Sequence, residues 1–150
     1  MSGMFTVRVN MGSVISKAIR DIDKYDAEKQ GRIRKVIADG TKAVRDRAAQ
    51  TAPKGPSGKL RKGIKSSLVG DGREGIVTST APHSPLVELG TDVRVTIPRR
   101  KKALRFTWNG KVRYSRGALN TGRMKPQHFL KNAANREWPH IVKNMEDALK

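Results

Sequence analysis

From Ser13 to Ala52 apolar residues return at the spacing of an α-helix, and the run stops at Pro53. No other feature constrains the fold as much, because a stretch with this period cannot be laid out as strands. Val14, Ile15, Ala18, Ile19 and Ile22 form one stripe, and Ile33, Val36, Ile37, Val44 and Ala48 form another. The polar stretch Lys24–Gly31 lies between them and predicts a break into two helices. Ser13 follows Gly12 and suits the N-cap. Ahead of it Phe5–Val9 alternates as a short strand.

After Pro53 the pattern changes. The Pro/Gly-rich segment 53–59 is a loop, and Leu60–Val69 and Gly75–Thr80 read as strands joined by a turn at Gly70-Asp71-Gly72. Pro82 and Pro85 bracket a further break, and Leu86–Leu89 is a short apolar element ended by Gly90. Gly90 is expected to close a helical turn, with Leu89 buried. Residues 93–97 alternate again, and Pro98 stops them. Pro126 can open a terminal helix, along which Leu130, Ala134, Trp138, Ile141, Met145 and Leu149 recur at helical spacing. Pro139 should kink or divide it. The order of strand, helices, several strands and helix predicts an α+β fold. It has a long N-terminal helical region, an antiparallel sheet with a projecting hairpin, and a C-terminal helix.

Asn109-Gly110, between Ala103–Thr107 and Lys111–Arg116, signals that hairpin. A two-residue loop would set Phe106 opposite Arg113. A three-residue loop at 108–110 would set Phe106 opposite Val112 and Leu104 opposite Tyr114. Only the second gives one apolar face, so it is the expected register, with Gly110 at positive φ. Phe106, Trp108 and Tyr114 are then hairpin core.

The chain carries 32 Lys and Arg against 13 Asp and Glu, a net charge of +19, and only 5% of its residues are aromatic. Such a charge needs an anionic or acidic partner to offset its self-repulsion. The excess sits in the middle: residues 53–125 hold seventeen basic and four acidic residues. Cysteine is absent, which excludes disulfides and thiolate chemistry. No apolar run approaches a membrane span and no signal peptide is evident, so a soluble protein made in a cytoplasm, without a membrane partner, is expected.

No cofactor, metal or catalytic constellation is expected. Gly55-Pro-Ser-Gly-Lys59 is too short for a phosphate-binding loop and has Leu60 where a hydroxyl is needed. His83, His128 and His140 lack ligand spacing. Glu88 is the one carboxylate in an apolar context, and a structural hydrogen bond or an interface contact is its expected role. The basic tract Arg99, Arg100, Lys101 and Lys102 is the leading partner-contact candidate, supported by Arg105, Lys59, Arg61 and Lys62. With few aromatics, contact with a phosphate backbone is favoured over base stacking.

Three segments together resemble the small head–tail joining family of long-tailed phages, also described as neck, minor tail or tail-completion proteins. The first is Ala52-Pro53 with Ser57-Gly58-Lys59-Leu60-Arg61. The second is Ala81–Thr91, which contains Val87-Glu88-Leu89-Gly90-Thr91. The third is Pro126-Gln127-His128-Phe129-Leu130-Lys131-Asn132-Ala133. Together they cover most of residues 30–145. Where the family commonly has an aromatic before Val87, Ser84-Pro85-Leu86 stands here. The resemblance makes Pro53, Gly58, Leu60, Glu88, Gly90, Thr91, Pro126, Phe129 and Leu130 structural motif residues. It implies a single joining domain over residues 1–150, with a basic insert at about 92–124. It also implies a cyclic homo-oligomer, a hexamer, in the virion neck, touching neck and tail proteins and packaged double-stranded DNA. A free, sequence-independent nucleic-acid-binding protein is the alternative.

Overall fold

Helix packing organises the chain. The computed structural model describes residues 5–8 and 13–150. Helix α1 spans Ser13–Arg20, a 3₁₀ turn covers Ile22–Lys24, and α2 runs over Ala27–Thr51. The break falls within and just ahead of the polar stretch. Asp26 starts α2 by accepting a 2.8 Å hydrogen bond from the Lys29 amide, as an N-cap carboxylate should. Ser13 is itself the first helical residue. The described members of both stripes are buried or half-buried.

Helix α5, Phe129–Leu149, packs along α2. It starts after His128, three residues beyond Pro126, with His128 at φ 48°. Pro139 neither divides it nor lies in the core; it sits on the exposed face, where water can satisfy the carbonyl it leaves without a partner. The two helices approach closely at Gly40, where a Cβ would stand 2.8 Å from Ile141 Cγ1. Arg47 of α2 donates to Glu137 of α5 at 2.7 Å across the same seam.

The other side of α2 carries a three-stranded antiparallel sheet of order β1-β3-β2, formed by Phe5–Arg8, Ile64–Val69 and Glu74–Ser79. Residues 60–62 are not strand as expected. Lys59–Lys62 form the single-turn helix α3, which buries Leu60 against the core before β2 begins. The turn at Gly70–Gly72 closes the β2–β3 hairpin as expected, with all three residues at positive φ. Two core clusters result. One joins Val44 and Ala48 to Leu60, Val77, Phe129, Leu130 and Ile141. The other joins Ile15 and Ile22 to Ile33, Ile37 and Met145.

Helix α4, Ser84–Leu89, leads into an arm made of two ribbons that pack chiefly within themselves. Strand β4, Thr91–Thr96, pairs with β7, Leu119–Met124, a strand not read from the polar sequence around it. Between them β5, Leu104–Trp108, pairs with β6, Lys111–Ser115.

The hairpin register differs from expectation. Phe106 faces Arg113, and Trp108 faces Lys111 across a two-residue loop with Asn109 at φ 48° and Gly110 at φ 73°. Gly110 thus has positive φ as expected, but Leu104 and Phe106 lie on the opposite face from Val112 and Tyr114. The single-face criterion assumed a buried face. Neither face of this hairpin is fully buried, so Asn-Gly turn chemistry fixes the register. Trp108 and Tyr114 are correspondingly 61% and 68% exposed and are not hairpin core.

Candidate functional site

The second and third segments singled out in the sequence meet at one joint, and the first shares their core cluster through Ala52 and Leu60. Glu88 is 2% exposed, and its carboxylate accepts from the Leu130 amide at 3.0 Å and the Lys131 amide at 3.1 Å. It therefore caps α5 from another element, placing a negative charge where the helix leaves its first amides unpaired. The Gln127 amide donates to the Val87 carbonyl at 2.9 Å and the His128 amide to the Glu88 carbonyl at 3.2 Å. Phe129 and Leu130 are buried beside this joint, and Val87 is buried in the same cluster.

Gly90 has φ 75°, and a Cβ there would stand 2.7 Å from the Met124 carbonyl oxygen and 2.8 Å from the Pro126 nitrogen. Only glycine fits where the arm leaves and rejoins the body. Thr91 completes the joint by accepting from the Met124 amide at 3.2 Å. Gly90 does end the helical turn, but Leu89 is 61% exposed instead of buried. Val87 and Glu88 take the inward positions of that turn, so Leu89 is left facing solvent.

At the first segment, Pro53 follows the end of α2 and Gly58 takes φ 61° ahead of α3. Arg61, expected among the partner contacts, has a structural task. Its Nε donates to the Ala52 carbonyl at 2.9 Å and its Nη2 to the Gln50 carbonyl at 3.3 Å, closing the C-terminus of α2. The guanidinium satisfies carbonyls that the helix end leaves open. Lys59 and Lys62 are exposed on α3.

Arg99, Arg100, Lys101 and Lys102 lie exposed in the loop between β4 and β5, and Arg105 is exposed on β5. The loop and the ribbons bring these five together in the arm, whereas Lys59 and Lys62 stay on the body. Carboxylates on the body pair with some of its cations: Arg34 with Asp71 at 2.9 Å, Arg73 with Asp23, and Arg47 with Glu137. The hydrogen bond from Arg73 holds the Asp23 carboxyl below its ordinary value of 3.8.

Among the described residues no group of three or more His, Cys, Asp or Glu is placed to hold a metal. No described helix is long and apolar enough to cross a membrane. The described residues thus form a helix-and-sheet body that carries a solvated basic arm. A family model described as "Bacteriophage HK97-gp10, putative tail-component" matches residues 16–90, half of the chain. The chain belongs to this HK97-gp10-like family of bacteriophage tail components, and its role is structural, in the virion tail. The match takes in the first resemblance segment and nearly all of the second, while the third lies beyond it. No significant match is found among curated proteins or solved structures.

Proposed function

We propose that the protein is a neck subunit that closes into a cyclic ring, a hexamer, by head-to-tail contacts. In this reading the ring joins or completes the tail at the head–tail junction and touches neighbouring neck and tail proteins. Assembly takes place in the host cytoplasm, and the protein acts by association and not by catalysis. The buried carboxylates support the last point, because Glu88 is occupied with capping α5 and Glu137 with Arg47.

The observation that carries the ring is an uncovered apolar row. Val93, Val95 and Ile97 lie on or just beyond β4 and are 57%, 60% and 51% exposed. A two-stranded ribbon is marginal by itself, and such a row calls for a covering surface. A head-to-tail contact in a closed ring supplies one on every subunit.

Light scattering and negative-stain imaging of the purified protein test this. Closed rings are expected, together with retention of the protein in purified particles. Replacing Val93, Val95 and Ile97 with Thr should shift the mass toward monomer. A wild-type protein that stays monomeric at tens of micromolar, or that is lost from particles, would overturn the reading.

A further inference from the structure

We propose that the arm, residues 91–125, is a duplex-DNA contact element that grips the phosphate backbone without reading sequence. The inference rests on the neck reading for its setting, since DNA must pass that junction. Its physical basis is independent of the ring.

The arm separates charge in a way the body does not. Between Asp92 and Glu137 the sequence contains no carboxylate at all. Residues 94–125 within that stretch carry eleven Lys and Arg. Beyond Arg94, none of the described cations from 95 to 136 is in an ion pair. Beyond Arg94, the arm therefore keeps a dense positive field that no ion pair among the described residues neutralises.

A second copy of the chain is poorly suited to neutralise it. At least seven of the thirteen carboxylates are already in ion pairs within the subunit, and Asp26 and Glu88 cap helices. The occupant must be anionic and extended. Cations lie on both faces of the β5–β6 ribbon, with Arg113 beside Phe106 and Arg105 beside Tyr114, and in the loop below it. That spread suits a uniformly charged rod better than one acidic patch. The two exposed aromatics, Trp108 and Tyr114, stand on opposite faces, so they form no single platform for stacking the bases of a single strand. Duplex backbone contact is the mode left.

The test is fluorescence anisotropy of the full chain with random-sequence duplex DNA across a salt series. Wild type should bind with an affinity that falls steeply as salt rises. Arg99, Arg100, Lys101 and Lys102 replaced together by Ser should flatten the log–log slope by about three to four, and weaken binding at least about tenfold at low salt. A matched variant removing four exposed body cations, Lys17, Lys35, Lys42 and Lys143, should leave the slope close to wild type. Equal effects of the two variants would show that net charge alone is at work, and would overturn the proposal. So would a wild-type slope in the arm variant; if its heads and tails then fail to join, the cations dock on an acidic protein. Imaging the same samples separates this inference from the neck reading. Rings without DNA affinity sink only the DNA contact, and DNA affinity without rings sinks only the ring.

Discussion

Glu88 shows how one residue can join elements far apart in the chain. Its carboxylate receives two α5 amides in a site almost closed to water. Glu88→Ala would leave the buried Leu130 amide and the partly buried Lys131 amide without their acceptor. Hydrogen bonds to a charged group contribute roughly 1.5–3 kcal/mol each, and unsatisfied groups cost more. A loss of about 3 kcal/mol in urea unfolding is expected, with Glu88→Gln intermediate because it keeps one acceptor oxygen. An unchanged midpoint for the alanine variant would show that the cap contributes nothing. Arg61 does the complementary work at the end of α2, accepting a place in the fold that its charge alone did not suggest.

Contact between elements is controlled by how near their backbones come. At Gly40 the α2–α5 seam has no room for a methyl group. Gly40→Ala gains about 1 kcal/mol of helix propensity, yet overpacking costs about 1–3 kcal/mol. Net destabilisation is therefore expected. Ile141→Ala, costly by itself, should be milder in the Gly40→Ala background; a double-mutant cycle with no coupling would refute the close contact. The sheet meets α2 as tightly at Gly75, where a Cβ would overlap the Thr41 side chain. The β5–β6 ribbon is different, since neither face of it is fully buried. Gly110→Val strains a residue held at φ 73°. Amide exchange in β5 and β6 should accelerate at least about tenfold while the global urea midpoint stays put, because local opening is uncoupled from the core. A matching fall in global stability would place the ribbon inside the cooperative unit.

At the scale of the whole molecule, the core lies in the body and not in the arm. Neither core cluster contains any residue from 92 to 124. Thr91 and Met124 are paired neighbours, so a short Gly-Ser link can replace what lies between them. The shortened chain loses ten cations and Asp92, which lowers the net charge from +19 to +10. It should keep its helical circular dichroism and one cooperative transition, with stability within about 1 kcal/mol of wild type, as for changes away from the core. Loss of cooperative unfolding would show that the arm is part of the folding unit.

Helices α1, α2 and α5, the β2–β3 hairpin and the α+β class were legible in the sequence because each is written in a local period or a turn signal. Ile33, Ile37 and Val44 had to face one way whatever packed on them. The basic tract, too, could only be exposed, since four adjacent cations cannot be buried without partners. Three features were not legible, because each depends on what lies across space. Strand β7 is polar and glycine-containing, and only pairing with β4 makes it a strand. The ribbon register followed the Asn-Gly turn because no buried face opposed it. Val87 and Glu88, not Leu89, turned inward because α5 presents its open amides there. A periodic pattern records which side of an element is apolar. It does not record whether another element covers that side, and that was decided only when α2, α5 and the sheet came together.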